Sequence, residues 1–131
     1  LLKWGEKKLE YHYGKEAADA YVTGLRKGIS NDRTIIGHYG VNSQGSSDMY
    51  FKGANMLHTI RQLFKDAQKW RAMLRGMNRE FYHQTVSTAQ IENYICKTLG
   101  QDLSKISDQY LRTTDIPVFE YRIDVNNIHF R

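Results

Sequence analysis

The chain has 131 residues, 40% hydrophobic and 25% charged, with a net charge of +5. That length suits one domain with its own core. A lone cysteine, Cys96, excludes an internal disulfide framework. No apolar run reaches membrane-spanning length and no signal-peptide pattern is visible, so the compartment stays open.

In chain order, the pattern predicts helices first. Leu2 to Tyr13 carries Leu2, Leu9 and Tyr13 between lysines, and Lys15 to Arg26 carries Ala17, Ala18, Tyr21, Val22 and Leu25. Gly14 breaks or bends the join, and Gly28 suits a helix stop. Ile29 to Ser46 reads as a loop, with Gly37, Gly40 and Gly45 and a short Ile35-Ile36 clip. A loop of that length is more often functional than idle.

The next helix starts after Ser47, a candidate N-cap, with Asp48 as a first-turn acid, and runs to about Phe64. Met49, Met56, Leu57, Ile60, Leu63 and Phe64 form its apolar stripe. Gly53 lies on the same face, where a missing side chain would permit close helix approach. Asp66 to Tyr82 follows, with Trp70, Met73, Leu74, Met77 and Phe81 at helical spacing. Ser87 and Gln90 form a capping box for a helix to Leu99, with Ile91, Tyr94 and Ile95 inward and Gly100 as its stop. Leu103, Ile106, Tyr110 and Leu111 mark a short last helix. After Pro117 the period changes: Phe119, Tyr121, Ile123 and Val125 alternate with Glu120, Arg122 and Asp124. Asn126-Asn127 suits a tight turn and Ile128 to Arg131 a return strand. The expected fold is mainly α, a helical bundle-like subdomain over 1–115, with a short β-hairpin in 116–131 that begins a further β-domain.

The chemistry centres on Tyr50-Phe51-Lys52-Gly53-Ala54. With Ser47 as cap, Tyr50 is the third helical residue, near the positive end of the helix dipole, where a phenol could donate to a developing oxyanion. The residues alone leave a second reading open, a tyrosine packed at a helix end. The Tyr-x-Lys-Gly-Ala pattern, followed by Leu57 and Arg61, resembles the gluzincin zinc aminopeptidases of the aminopeptidase N type. Val86-Ser87-Thr88, Ile91, Tyr94, Gly100, Asp102-Leu103, Asp108-Gln109-Tyr110-Leu111 and Ile116-Pro117-Val118 follow in the family's order. The resemblance covers most of the chain and implies that Tyr50 hydrogen-bonds the tetrahedral intermediate of peptide hydrolysis. It also implies a zinc ion that polarises the scissile carbonyl in the complete enzyme, and a peptide substrate with a free N-terminus. The loop before Ser47 would border the substrate cleft.

That family binds zinc through H-E-x-x-H and a downstream glutamate. The histidines here are His12, His38, His58, His83 and His129, with no two four residues apart. The expectation is therefore the second part of a catalytic domain, with no metal site of its own, inactive alone and partnered by a metal-binding half. Helices cut from that half would expose apolar surface and favour self-association. A non-catalytic helical interaction domain is the alternative.

Other signals are weaker. Lys7, Lys8, Arg26, Lys27, Lys65, Lys69, Arg71, Arg75 and Arg79 alternate with Glu6, Glu10, Asp66 and Glu80. This reads as solvated helix faces, with no nucleic-acid or membrane partner. Glu10, His12 and Glu16 read as surface residues, His58 as a packed or surface histidine, and Cys96 as a half-buried thiol.

Overall fold

A computed structural model describes residues 2–42, 44–124 and 127–130. It is mainly helical, about 60%, with a two-stranded antiparallel hairpin near its C-terminal end. The helices are α1 (Leu2–Tyr13), α2 (Lys15–Gly24), α3 (Asp48–Leu63), α4 (Ala67–Glu80), α5 (Thr88–Leu99) and α6 (Ser104–Leu111). Among the described residues, no helix is long and apolar enough to cross a membrane.

Helices α1 and α2 form an antiparallel pair joined at Gly14, whose φ of +87° lies where side chains rarely go. The second helix ends two residues before the expected Arg26. Leu25–Gly28 winds tighter, as a 3-10 turn, with Ile29 N–H donating to Arg26 O at 3.1 Å. Such a turn satisfies carbonyls that a helix end leaves open.

The apolar core lies where α3, α4 and α5 meet. Ile60, Trp70, Met73, Ile95, Leu99 and Leu103 are buried there. Around them pack Phe64, Leu74, Met77, Ile91, Tyr94 and Ile106. The helical spacing in the sequence selects these residues, because positions three and four apart share a face.

The helix ends are specified locally. Asp66 is the N-cap of α4 rather than its first residue, accepting from Gln68 and Lys69 N–H, both at 2.9 Å. The Ser87–Gln90 capping box opens α5. Gly100, at φ +75°, closes that helix, with its N–H on Cys96 O at 2.8 Å. Lys69 Nζ reaches across from α4 to Leu99 O at 2.8 Å and caps the same end. Asp102 accepts from Ser104 N–H at 2.9 Å at the start of α6. Arg112 then grips both oxygens of Glu92, at 2.7 and 2.8 Å, tying the end of α6 to α5.

Two strands, β1 (Tyr121–Asp124) and β2 (Asn127–Phe130), pair with Tyr121 opposite Phe130 and Asp124 opposite Asn127. Asn127 is therefore a strand residue and not half of a turn, and the return strand starts one residue earlier than expected. Val125 and Asn126 lie outside the described residues. Ile116, Val118, Phe119, Tyr121, Ile123 and Ile128 are all exposed.

Gly53 does not serve close packing: a Cβ built there meets nothing within 4 Å. Gly76 does, because a Cβ at that position would collide with the Tyr94 hydroxyl. Gly76→Ala is expected to destabilise the fold by about 1–2 kcal/mol through overpacking. In a Tyr94→Phe background the obstructing oxygen is gone. There the same change should stabilise by about 0.5–1 kcal/mol, the helix gain of Ala over Gly. Urea unfolding of the four proteins measures both, and an effect of equal sign in the two backgrounds would refute the contact.

Candidate functional site

The first turn of α3 is held by a set of buried polar groups. Ser47, the expected cap, is already helical (φ −59°, ψ −16°) and makes no side-chain cap bond. Ser46 takes that role: its Oγ accepts from Asp48 N–H at 3.2 Å, and it donates to Asp32 Oδ1 at 3.2 Å. The reason is geometric. A cap needs an extended backbone to bring its oxygen over the first amides, and Ser47 has already entered the coil.

Asp48 is more than a first-turn acid. It is 1% exposed, and its carboxylate accepts from Ser30 N–H at 2.9 Å and Asn31 N–H at 2.6 Å. One turn on, Lys52 is 8% exposed and donates to Asn31 Oδ1 at 2.7 Å and Thr113 O at 2.8 Å. Asn31 stands in the left-handed region, φ +52°, and its Nδ2 donates to Thr114 O. Asn55 then accepts from Arg26 Nε at 3.0 Å, and Thr59 bonds the Tyr110 hydroxyl at 2.9 Å. One face of α3, from Asp48 through Lys52 and Asn55 to Thr59, thus fastens residues 26–31, α6 and residues 113–114 to a single helix.

Tyr50 is on the other side. It sits two residues from both Asp48 and Lys52, about 200° around the helix from each. The residue is 56% exposed, and Tyr50 N–H donates to Ser47 O at 3.2 Å. The phenol therefore projects outward from a turn whose opposite face is pinned.

Three turns further along, the side of α3 that bears Tyr50 carries ions, since Arg61 is eleven residues on and only ~20° away around the helix. Arg61 donates to Glu6 Oε1 at 2.6 Å and to both oxygens of Glu10, at 2.9 and 2.7 Å. Glu6 is fully buried. His58, also buried, places Nδ1 3.4 Å from Glu6 Oε1 and Nε2 3.2 Å from Gln62 Nε2. Burial alone would lower the Arg61 guanidinium, but the hydrogen bonds to Glu10 and Glu6 outweigh it and hold it above its ordinary value. Glu10 is therefore a partner of Arg61 and not the surface residue expected. Glu6 and Glu10, four apart on α1, present both carboxylates to one neighbour. That spacing was the available signal, but nothing in the sequence tells which cation answers it.

The clefts among the described residues include two between helix pairs. One, of about 430 Å³, lies between α5 and α6 and includes Glu92, Cys96, Lys97, Asp102, Ser107 and Arg112. The other, of about 340 Å³, lies between α1 and α2. Tyr50 lines neither. Cys96 is half-buried, with Sγ accepting from Leu103 N–H at 3.4 Å. Among the described residues, no group of three or more His, Cys, Asp or Glu side chains converges to hold a metal ion.

No protein-family model, no curated protein and no solved structure matches this chain.

Asp48→Ala would leave the amides of Ser30 and Asn31 without their acceptor. The expected cost is about 2–4 kcal/mol, from two stranded donors at about 1–3 kcal/mol each, partly recovered by water. Arg61→Met would leave Glu6 buried with the guanidinium gone, at about 3–5 kcal/mol. Adding Glu6→Gln to Arg61→Met should return a large part of that loss. Chemical denaturation reads all three, and a double variant no more stable than Arg61→Met would show that the buried charge is not the cause.

Proposed function

We propose that this chain is the helical second part of the catalytic domain of a zinc-dependent aminopeptidase, and that Tyr50 supplies the phenol donor to the oxyanion of peptide hydrolysis. The observation that carries this reading is the contrast within one helical turn. Asp48 and Lys52 are buried and bonded to two other segments, residues 30–31 and Thr113, while Tyr50 between them faces outward. An oxyanion donor has to be fixed in advance and yet accessible. Its position in the first turn of α3 also places it by the positive end of the helix dipole.

Among the described residues, no group of side chains converges to hold a metal ion. The zinc that the resemblance implies would be held by a metal-binding half that is not among these residues, and would there polarise the scissile carbonyl. What the chain contributes is a single hydrogen bond. The tetrahedral intermediate carries negative charge on the former carbonyl oxygen, the Tyr50 O–H donates to it, and the interaction strengthens as the charge develops. The substrate would be a peptide with a free N-terminus, and the chain by itself would not turn over.

The test is Tyr50→Phe in the zinc-bearing protein. Turnover of an amino-acid arylamide should fall by roughly 10²–10³-fold with KM little changed, the size of one lost oxyanion donor. The Tm should stay near that of the parent, because a residue that is 56% exposed loses only its hydroxyl. Normal turnover with a lowered Tm would end the catalytic assignment and leave Tyr50 as a packing residue.

A further inference from the structure

We infer that the outer face of α4 is a docking surface for an acidic helix of another polypeptide, read by Arg71, Arg75 and Arg79. Along the sequence these residues look dispersed among other charges. On the helix they are four apart, so successive side chains are displaced by ~6 Å and turned by only ~40°. Trp70, Met73, Leu74 and Met77 take the core side. The three arginines are all exposed, and form one stripe of ~12 Å. Gln68 and Asn78, also exposed, flank it.

The stripe is not neutralised from within. Among the described residues, no carboxylate pairs with Arg71, Arg75 or Arg79. The contrast with Arg61 and Arg112, each bound to two carboxylates, is direct. Glu80 is next to Arg79 in sequence but ~100° away around the helix. The positive field extends to α1. Lys7 is held below its ordinary value first by burial, then by the charges of Arg71 and Arg61, against the opposing pull of Glu10 and Glu6.

Charge complementarity calls for an anion, and three observations select its kind. Nucleic-acid binding draws its affinity from many phosphate contacts and, on single strands, from aromatic stacking. This stripe offers few cations, and no aromatic ring lies among its residues. A membrane-surface helix needs an apolar flank to insert, and the apolar flank of α4 is spent on the core. A helix with carboxylates at i, i+4 and i+8 repeats at the same ~6 Å and meets each guanidinium in turn, in the bidentate geometry that arginine favours. A second copy of the chain cannot supply it, since no three of its acidic residues stand at i, i+4 and i+8.

The probe is a fluorescent, end-capped alanine-based helical peptide with glutamates at i, i+4 and i+8 on one face, titrated with the chain and followed by anisotropy. A permuted peptide of equal composition, with its glutamates spread around the helix, is the control. The chain should bind the first at least about fivefold more tightly. Arg71→Gln/Arg75→Gln/Arg79→Gln should weaken binding by about tenfold or more, the sum of three partly exposed ion pairs. The triple lysine variant keeps the charge and should recover only part of it. Helical circular dichroism equal to that of the parent shows that each variant is folded. The inference is overturned by absence of binding at low salt, by equal affinity for both peptides, or by indifference to the glutamine changes. It is equally overturned if single-stranded RNA or phosphatidylserine vesicles bind more tightly through the same arginines.

Discussion

The structure depends on burying polar groups along α3 and satisfying them. Of the residues this helix buries, Asp48, Lys52, Asn55 and His58 are polar and only Ile60 is apolar. An unpaired buried polar group costs several kcal/mol, and an unpaired charge more. The helix can therefore be central only if its surroundings supply matching groups. They do so partly through backbone, with two amides from residues 30–31 and a carbonyl from Thr113, and partly through the side chains of Arg26, Asn31 and Glu6. These contacts span up to 61 positions, so they draw the loop after α2 and the segment after α6 onto one helix.

Ions do the same work on the side toward α1. Arg61 engages Glu6 and Glu10 together, and His58 stands beside Glu6. Such clusters add little net stability over an apolar alternative, because desolvation offsets the attraction. They are strict about geometry, however, and any slip of α1 along α3 would strand a buried carboxylate. The α1–α2 pair is thus set in register by charge, while α4 and α5 are set by the packing of Trp70, Met73, Ile95 and Leu99. Two kinds of adhesion meet at α3, one directional and one not.

This division bears on both surfaces to which roles are assigned. Tyr50 stands on a turn whose opposite face is bonded to distant segments, so the place from which its side chain leaves the helix is inherited from long-range contacts. The arginines of α4 are free for another purpose because α4 is held by its apolar face and by Lys69 at the end of α5. Where α3 spends its charges on the fold, α4 leaves them facing outward. The same residue type thus has opposite uses on adjacent helices, and the difference lies in whether a carboxylate stands opposite.

Much of the secondary structure was determined by the sequence itself. The spacing of Trp70, Met73 and Met77, the Ser87–Gln90 box and Gly100 act within one or two turns, where the period and the caps are complete information. The alternation before Asp124 is of the same local kind. Tertiary structure decided the rest. Ser46 displaced Ser47 as the cap, Gly76 rather than Gly53 proved to be the close approach between helices, and half-buried Glu10 pairs with Arg61. Each of these depends on what lies opposite in space, which no local pattern encodes. The amides that Asp48 captures belong to a loop with no period at all. A buried carboxylate announces itself in a sequence only as one more charge, and its role appears once the chain has folded around it.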